Sequence, residues 1–136
     1  MKILVLGFVV AACMASSAVA PLLAHHSFAA EFDSNKPVKV TGTITKVEFQ
    51  NPHIYFYIDV KDASGAAQVW ALEATNRAGL EKAGVTREYI KPGDAVKARC
   101  HPLRDKTNGC LLGFLKARDG SVKDWDGGNA PAPKDF

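Results

Sequence analysis

The chain has 136 residues, 47% of them hydrophobic and 23% charged, with a formal net charge of +3. That length suits one small domain with a single core. The basic excess is too mild to imply nucleic acid as a partner.

Taken from the start, Lys2 is a one-residue basic region, Ile3 to Val10 is an unbroken apolar run, and Ala11 to Ala20 is small and mostly apolar. The Ala/Ser-rich second half favours a cleaved signal peptide over a membrane span. Cleavage after Ala20 would place Pro21 next to the scissile bond, a poor arrangement. Cleavage after Ala24 leaves His25 as the new amino terminus and is preferred, which gives a signal peptide over 1–24. A third reading, Val10-Ala11-Ala12-Cys13, resembles a lipobox and would tether the protein as a lipoprotein. The expected location is the periplasm, with no transmembrane span in the mature chain. Met1 and Met14 leave with the leader, which argues against a methionine-rich Cu(I) carrier.

Residues 25–37 read as an N-terminal arm. Phe28 and Phe32, four apart, are either anchors of that arm or one face of a short helix. The first strand candidate is Val38 to Gln50. Val38, Val40 and Ile44 share one parity while Val47 and Phe49 have the other, so a bulge is expected near Thr45 or Lys46. Gly42 marks a sharp coil. Asn51-Pro52 breaks the strand. His53 to Lys61 alternates strictly: Ile54, Phe56, Ile58 and Val60 face a core, and His53, Tyr55, Tyr57, Asp59 and Lys61 face out. Asp62 to Gly65 is a turn. Gln68 to Glu73 is the third strand, with Trp70 and Leu72 on one face.

A short helix follows, capped by Thr75 or Asn76, burying Leu80 and Ala83 and ending at Gly84 in the left-handed position. Thr86 to Ile90 is expected to add one helical turn. Lys91-Pro92-Gly93-Asp94 is a type II turn. Strand four, Ala95 to His101, turns Val96, Ala98 and Cys100 inward. Strand five is Cys110 to Lys116, and Asp119-Gly120 leads to a short last strand, Ser121 to Trp125. The Gly/Pro/Ala-rich tail, 127–136, is expected to be disordered.

Cys100 and Cys110 are an even pair in a chain read as exported, which suggests a disulfide. "CHPLRDKTNGC" is symmetric about Asp105, so a hairpin turning there would set the cysteines opposite each other. The element order, strand, strand, strand, helix, strand, strand, matches a small OB-like Greek-key β-barrel of five strands over 38–126. The fold class is thus all-β with one short helix. An SH3-like barrel or an open meander would give a similar string.

Three segments stand out together: "HHSFAAEFD", "GTITKVEFQNPH" leading into "IDVKD", and "KPGDAV". They resemble a family of small exported bacterial proteins of unknown function. The resemblance covers about residues 24 to 100 and implies a periplasmic, OB-like domain without assigning an activity. The Cys pair lies outside the pattern the family usually shows, which makes its hairpin a local elaboration.

Three functions compete. The preferred one is a non-enzymatic binding or accessory module whose ligand surface is His53, Tyr55 and Tyr57, since aromatic strand faces of OB-folds stack sugars or bases. The structural alternative is that these residues pack beneath the arm. The second function is copper(II) binding. With cleavage after Ala24, the His25 amine and imidazole can chelate one ion, joined by His26, a carboxylate from Glu31 or Asp33, and His53 or His101. A small hydrolase is the third, disfavoured because no nucleophile–base set is visible. Asp59 with Glu73 is the one carboxylate pair to consider. The basic strip Lys97, Arg99, Arg104 and Lys106 reads as a solvated, aggregation-resistant edge or as a surface for an anionic partner. A monomer with an unknown small ligand or protein partner, and no nucleic acid, is expected.

Overall fold

A computed structural model describes residues 28–136. The leader, Cys13, His25 and His26 lie outside the described residues. Phe28–Glu31 is a single helical turn, α1, and Val38–Glu48 is the first strand, β1. β1 pairs with a different neighbour along each half. Its first half pairs antiparallel with β4 (Ala95–Pro102), from Val38 opposite Cys100 to Thr43 opposite Ala95. Its second half pairs with β2 (Tyr55–Lys61), from Thr43 opposite Asp59 to Glu48 opposite Tyr55.

The change of apolar parity resolves as expected. Ile44 faces Ile58 and Lys46 faces Tyr57, so Thr45 is the extra residue of a bulge. Its hydroxyl donates to the Tyr57 carbonyl at 3.2 Å. Gly42 sits where β2 crowds β1. A Cβ there would stand 2.5 Å from the Asp59 carbonyl oxygen, so the strand can coil at this point only without a side chain.

β3 (Ala67–Glu73) continues the meander, and a parallel pairing with β5 (Gly109–Lys116) closes it, Ala71 opposite Gly109. β5 returns antiparallel to β4. The ring β1-β2-β3-β5-β4 is a closed five-stranded OB-like barrel, as the element order predicts. β6 (Val122–Asp124) adds to the second half of β5, where Phe114 faces Asp124. Among the described residues, no helix is long and apolar enough to cross a membrane.

Between β3 and β4, α2 (Arg77–Lys82) is capped by Asn76, whose side chain accepts from the Gly79 amide at 2.9 Å. Gly84, at φ 73°, ends it. The amides of Gly84 and Val85 return to the carbonyls of Glu81 and Leu80, the Schellman pattern. Leu80, Ala83, Val85 and Ile90 join the barrel core. The expected helical turn over Thr86 to Ile90 is instead a hydrogen-bonded turn, Tyr89 amide to Thr86 carbonyl at 3.1 Å. Pro92 leaves too short a stretch to nucleate a further helix.

Cys100 and Cys110 form the expected disulfide, with Cα atoms 5.7 Å apart. The register differs from the expected one. Pro102 faces Cys110 and Cys100 faces Leu112, so the bond runs diagonally across the hairpin. The hairpin centres on Lys106, at φ 63°, and not on Asp105. Trp125, fully buried, packs on Phe56 and Tyr89 with ring centroids 5.2 and 6.1 Å away. Beyond it the chain has no helix or strand. Asp124 accepts from the amides of Asp126 and Ala130, both at 2.8 Å, and Asp135 reaches Lys39 and Arg99 on the barrel wall.

Candidate functional site

The outward face of β2 and β3 carries Tyr55, Tyr57 and Glu73, and two further segments turn part of it into a cleft. The loop between β4 and β5 rises on one side and the N-terminal arm on the other. Phe32 bridges Leu103, the Asp33 amide donates to the Pro102 carbonyl at 2.9 Å, and the Arg104 amide donates to the Glu31 carbonyl at 2.8 Å. Arg104 Nε also donates to the Ala29 carbonyl at 2.8 Å. Phe28 stacks edge-on against His101, centroids 5.6 Å apart. Phe28 and Phe32 are therefore both anchors and one face of a helical turn, and they hold the arm to the β4–β5 hairpin.

The result is an open cleft of about 600 Å³. Tyr55, Ala71 and Glu73 form its floor, Gly109 and Cys110 of β5 its back, Leu103, Arg104 and Asp105 one wall, and Ala30, Glu31 and Phe32 the other. This is the side of an OB barrel, strands two and three with the loop between strands four and five, on which such folds take their ligands.

On the floor, Tyr55 and Glu73 are cross-strand partners. The Tyr55 phenol is held well above its ordinary range, first by burial and then by the Glu73 carboxylate beside it. Tyr55 thus stays a neutral hydroxyl at any physiological pH. The Glu73 side chain is 15% exposed and its Oε1 meets Nδ1 of His53. His53 stands just before β2 in place of its expected first position, because Pro52 offers no amide to a ladder. The amide of Ile54 turns instead to the Thr75 carbonyl.

The three expected ligand-binding residues are thus only partly brought together. His53 and Tyr55 meet through Glu73. Tyr57 lies further along β2, outside the cleft lining, beneath Lys46 Nζ at 5.5 Å from its ring centroid. Glu73, which the sequence offers only as a carboxylate partner for Asp59, is the residue that joins His53 and Tyr55. Its suggested partner Asp59 faces Val69 at the other end of β2, so the two carboxylates do not form a pair. Of the two walls, the arm with its Phe28 and Phe32 anchors follows one of the readings of the sequence, whereas the part played by Leu103 to Asp105 rests on backbone pairing that the sequence does not mark.

A histidine oriented by a glutamate is a base-and-orienter pair. Neither the cleft nor the hollow beside His53, lined by Phe28, Ala74, Thr75, Leu111 and Asp126, presents a serine or a free cysteine. Among the described residues no group of three or more His, Cys, Asp or Glu could hold a metal ion. His101 borders a separate hollow of about 350 Å³ with Arg99, Asp124 and Asp126. The His25 and His26 arm of the copper reading lies outside the described residues.

The sequence pattern of Family of unknown function (DUF6152) matches residues 11–112. The chain belongs to that family. The matched span takes in the arm, β1 to β4 and the first residues of β5, so the cleft floor and both walls fall inside it. None of the curated proteins compared matches the chain. Among solved structures, the chain is similar to the mitochondrial single-stranded DNA binding protein Rim1 of S. cerevisiae. One crystal form gives a TM-score of 0.47 at 11% identity, covering 60% of this chain and 92% of that one. A second gives 0.44 at 15% identity, covering 60% and 91%.

Proposed function

We propose that this protein is an exported, non-enzymatic binding module that receives a small, hydroxyl-bearing ligand, such as a sugar ring, in the cleft above Tyr55. The carrying observation is the floor itself: a neutral phenol and a carboxylate set side by side between walls that carry Phe32 and Leu103 together with the charged Glu31, Arg104 and Asp105. A ring stacks on an aromatic face while its hydroxyls donate to Glu73 and accept from Tyr55. A carboxylate on the floor opposes a phosphate backbone, which argues against nucleic acid. The periplasm fits as location, because a buried disulfide belongs to an oxidising compartment and the leader reads as a signal peptide.

The test is a titration of the 15N-labelled protein with N-acetylglucosamine oligomers, and separately with single-stranded oligonucleotide. Saturable shifts at Tyr55, Ala71, Glu73 and Leu103 to Asp105, lost in Tyr55→Ala, are expected with the saccharide. Shifts with the oligonucleotide alone, or saccharide shifts that survive Tyr55→Ala, would refute the reading. Intact mass of protein taken from periplasm checks the export step, with a start at His25 expected.

A further inference from the structure

On the wall opposite the cleft, β1, β4 and β5 turn a basic face outward. Lys39 faces Arg99 across the β1–β4 pair, and Lys97 faces Lys116 across the β4–β5 pair. Like charges set directly opposite each other repel, so such a face calls for an anion. The chain supplies one from its own tail. Asp135 Oδ1 lies 3.2 Å from Arg99 and Oδ2 lies 3.8 Å from Lys39. Lys39 Nζ also donates to the Asp135 carbonyl at 2.6 Å. Phe136 places its ring 5.7 Å from Lys97 Nζ. Asp124 and Asp126 line the hollow beside Arg99 without an ion pair to it, and Lys116 makes no ion pair among the described residues, so Asp135 is the carboxylate that pairs with a face of four cations.

The strap is held weakly. Asp135 is 69% exposed, and exposed ion pairs contribute little each and are screened by salt. The tail approaches through Pro131 and Pro133 in irregular backbone, without a strand ladder to the barrel. An Asp-aromatic pair thus occupies a surface with cations to spare, through contacts that a better-charged segment would replace.

We propose that this β1–β4–β5 face is a docking surface for an extended acidic segment, carrying an aromatic residue, on a partner protein, and that residues 127–136 occupy it in cis until displaced. The site differs in place and chemistry from the cleft above Tyr55. Self-occupancy lowers the apparent affinity by the fraction of time that the face is free.

The test uses the full chain and, as probe, a fluorescein-labelled peptide of residues 127–136 carrying Lys134→Glu. Fluorescence polarisation at low ionic strength should show binding that tightens about tenfold when the strap is released by Asp135→Asn with Phe136→Ala. Binding should be lost in Arg99→Glu with Lys39→Glu. A circular dichroism melt of each variant confirms folding. Should the paired reversal fail to fold, Lys97→Gln with Lys116→Gln serves instead, and at least a threefold loss is expected. Equal affinity with and without the released strap, or binding indifferent to the reversals, would overturn the proposal. Binding to phosphatidylglycerol vesicles without binding to the peptide would overturn it in favour of a membrane surface. A dimer that disappears in the strap-release variant would overturn it in favour of exchange between copies.

Discussion

Removing the disulfide gives the sharpest stability test, because its effect can be worked from the structure. The bond joins residues ten apart in sequence, both 1% exposed. Closing a loop of that size removes about 9 cal/mol/K of entropy from the unfolded chain, or about 2.7 kcal/mol at 25 °C. At about 2.1 cal/mol/K of unfolding entropy per residue, a domain of about 110 residues should lose about 12 °C in melting temperature. The variant is Cys100→Ala with Cys110→Ala, and the assay is thermal unfolding followed by circular dichroism, with reduced wild-type protein alongside. Burial adds a kinetic expectation: reductant should open the bond only in molecules that have unfolded. The bond also ties together the strands that lead into Leu103 to Asp105, so amide shifts in that loop should broaden in the variant. A loss below about 4 °C would refute the reasoning, because the unfolded chain would then gain less than about a third of the freedom worked out above.

Other changes probe other parts of the barrel. Gly42→Ala forces a methyl to within 2.5 Å of the Asp59 carbonyl oxygen and should cost about 1–3 kcal/mol in urea unfolding. Trp125→Ala empties the space against Phe56 and Tyr89 and should cost about 3–5 kcal/mol in the same assay. Trp125→Phe should cost much less, since the indole Nε1 is buried without a hydrogen-bond partner among the described residues. Asp62, Asp105 and Asp119 are each held below the ordinary carboxylate range. The Ser64, Thr107 or Ser121 hydroxyl is the largest cause, followed by the same residue's amide. A depressed carboxylate stabilises the fold above its unfolded pKa of about 3.9 and loses that contribution as pH falls through the lower folded value. Melting temperature should therefore drop on acidification below about pH 4, and more shallowly in Asp62→Asn/Asp105→Asn/Asp119→Asn.

Much of the barrel was legible because its signals are local and periodic. The change of apolar parity between Ile44 and Val47 admits one remedy, an extra residue, and Thr45 is that residue. Asn76 and Gly84 mark the ends of α2 by their capping chemistry alone. The disulfide was legible as a pairing and not as a register. The symmetry of "CHPLRDKTNGC" is a property of letters, whereas the register answers to which residues reach the core. Cys100, Cys110 and Leu112 are all buried, and a further shift between Arg99 and Cys100 displaces the hairpin by one residue.

Trp125 illustrates a different blind spot. The sequence places it only at the end of a short last strand, and its burial depends on Phe56 and Tyr89, far away in sequence. The cleft was hidden for a more general reason. Its floor is written in side chains, so His53 and Tyr55 could be proposed from their alternation. Its walls are set by Phe28 and Phe32, which the sequence offers as anchors, together with main-chain bonds, Asp33 to Pro102 and Arg104 to Glu31, which any residue but proline at the donor position can make. The main-chain part of that closure does not depend on side-chain identity, so it leaves no mark in the sequence. The strap is the opposite case, a few charged contacts spanning 96 residues from Lys39 to Asp135, with no period to betray them. Both features rest on pairings between distant segments, and both cover part of the barrel wall.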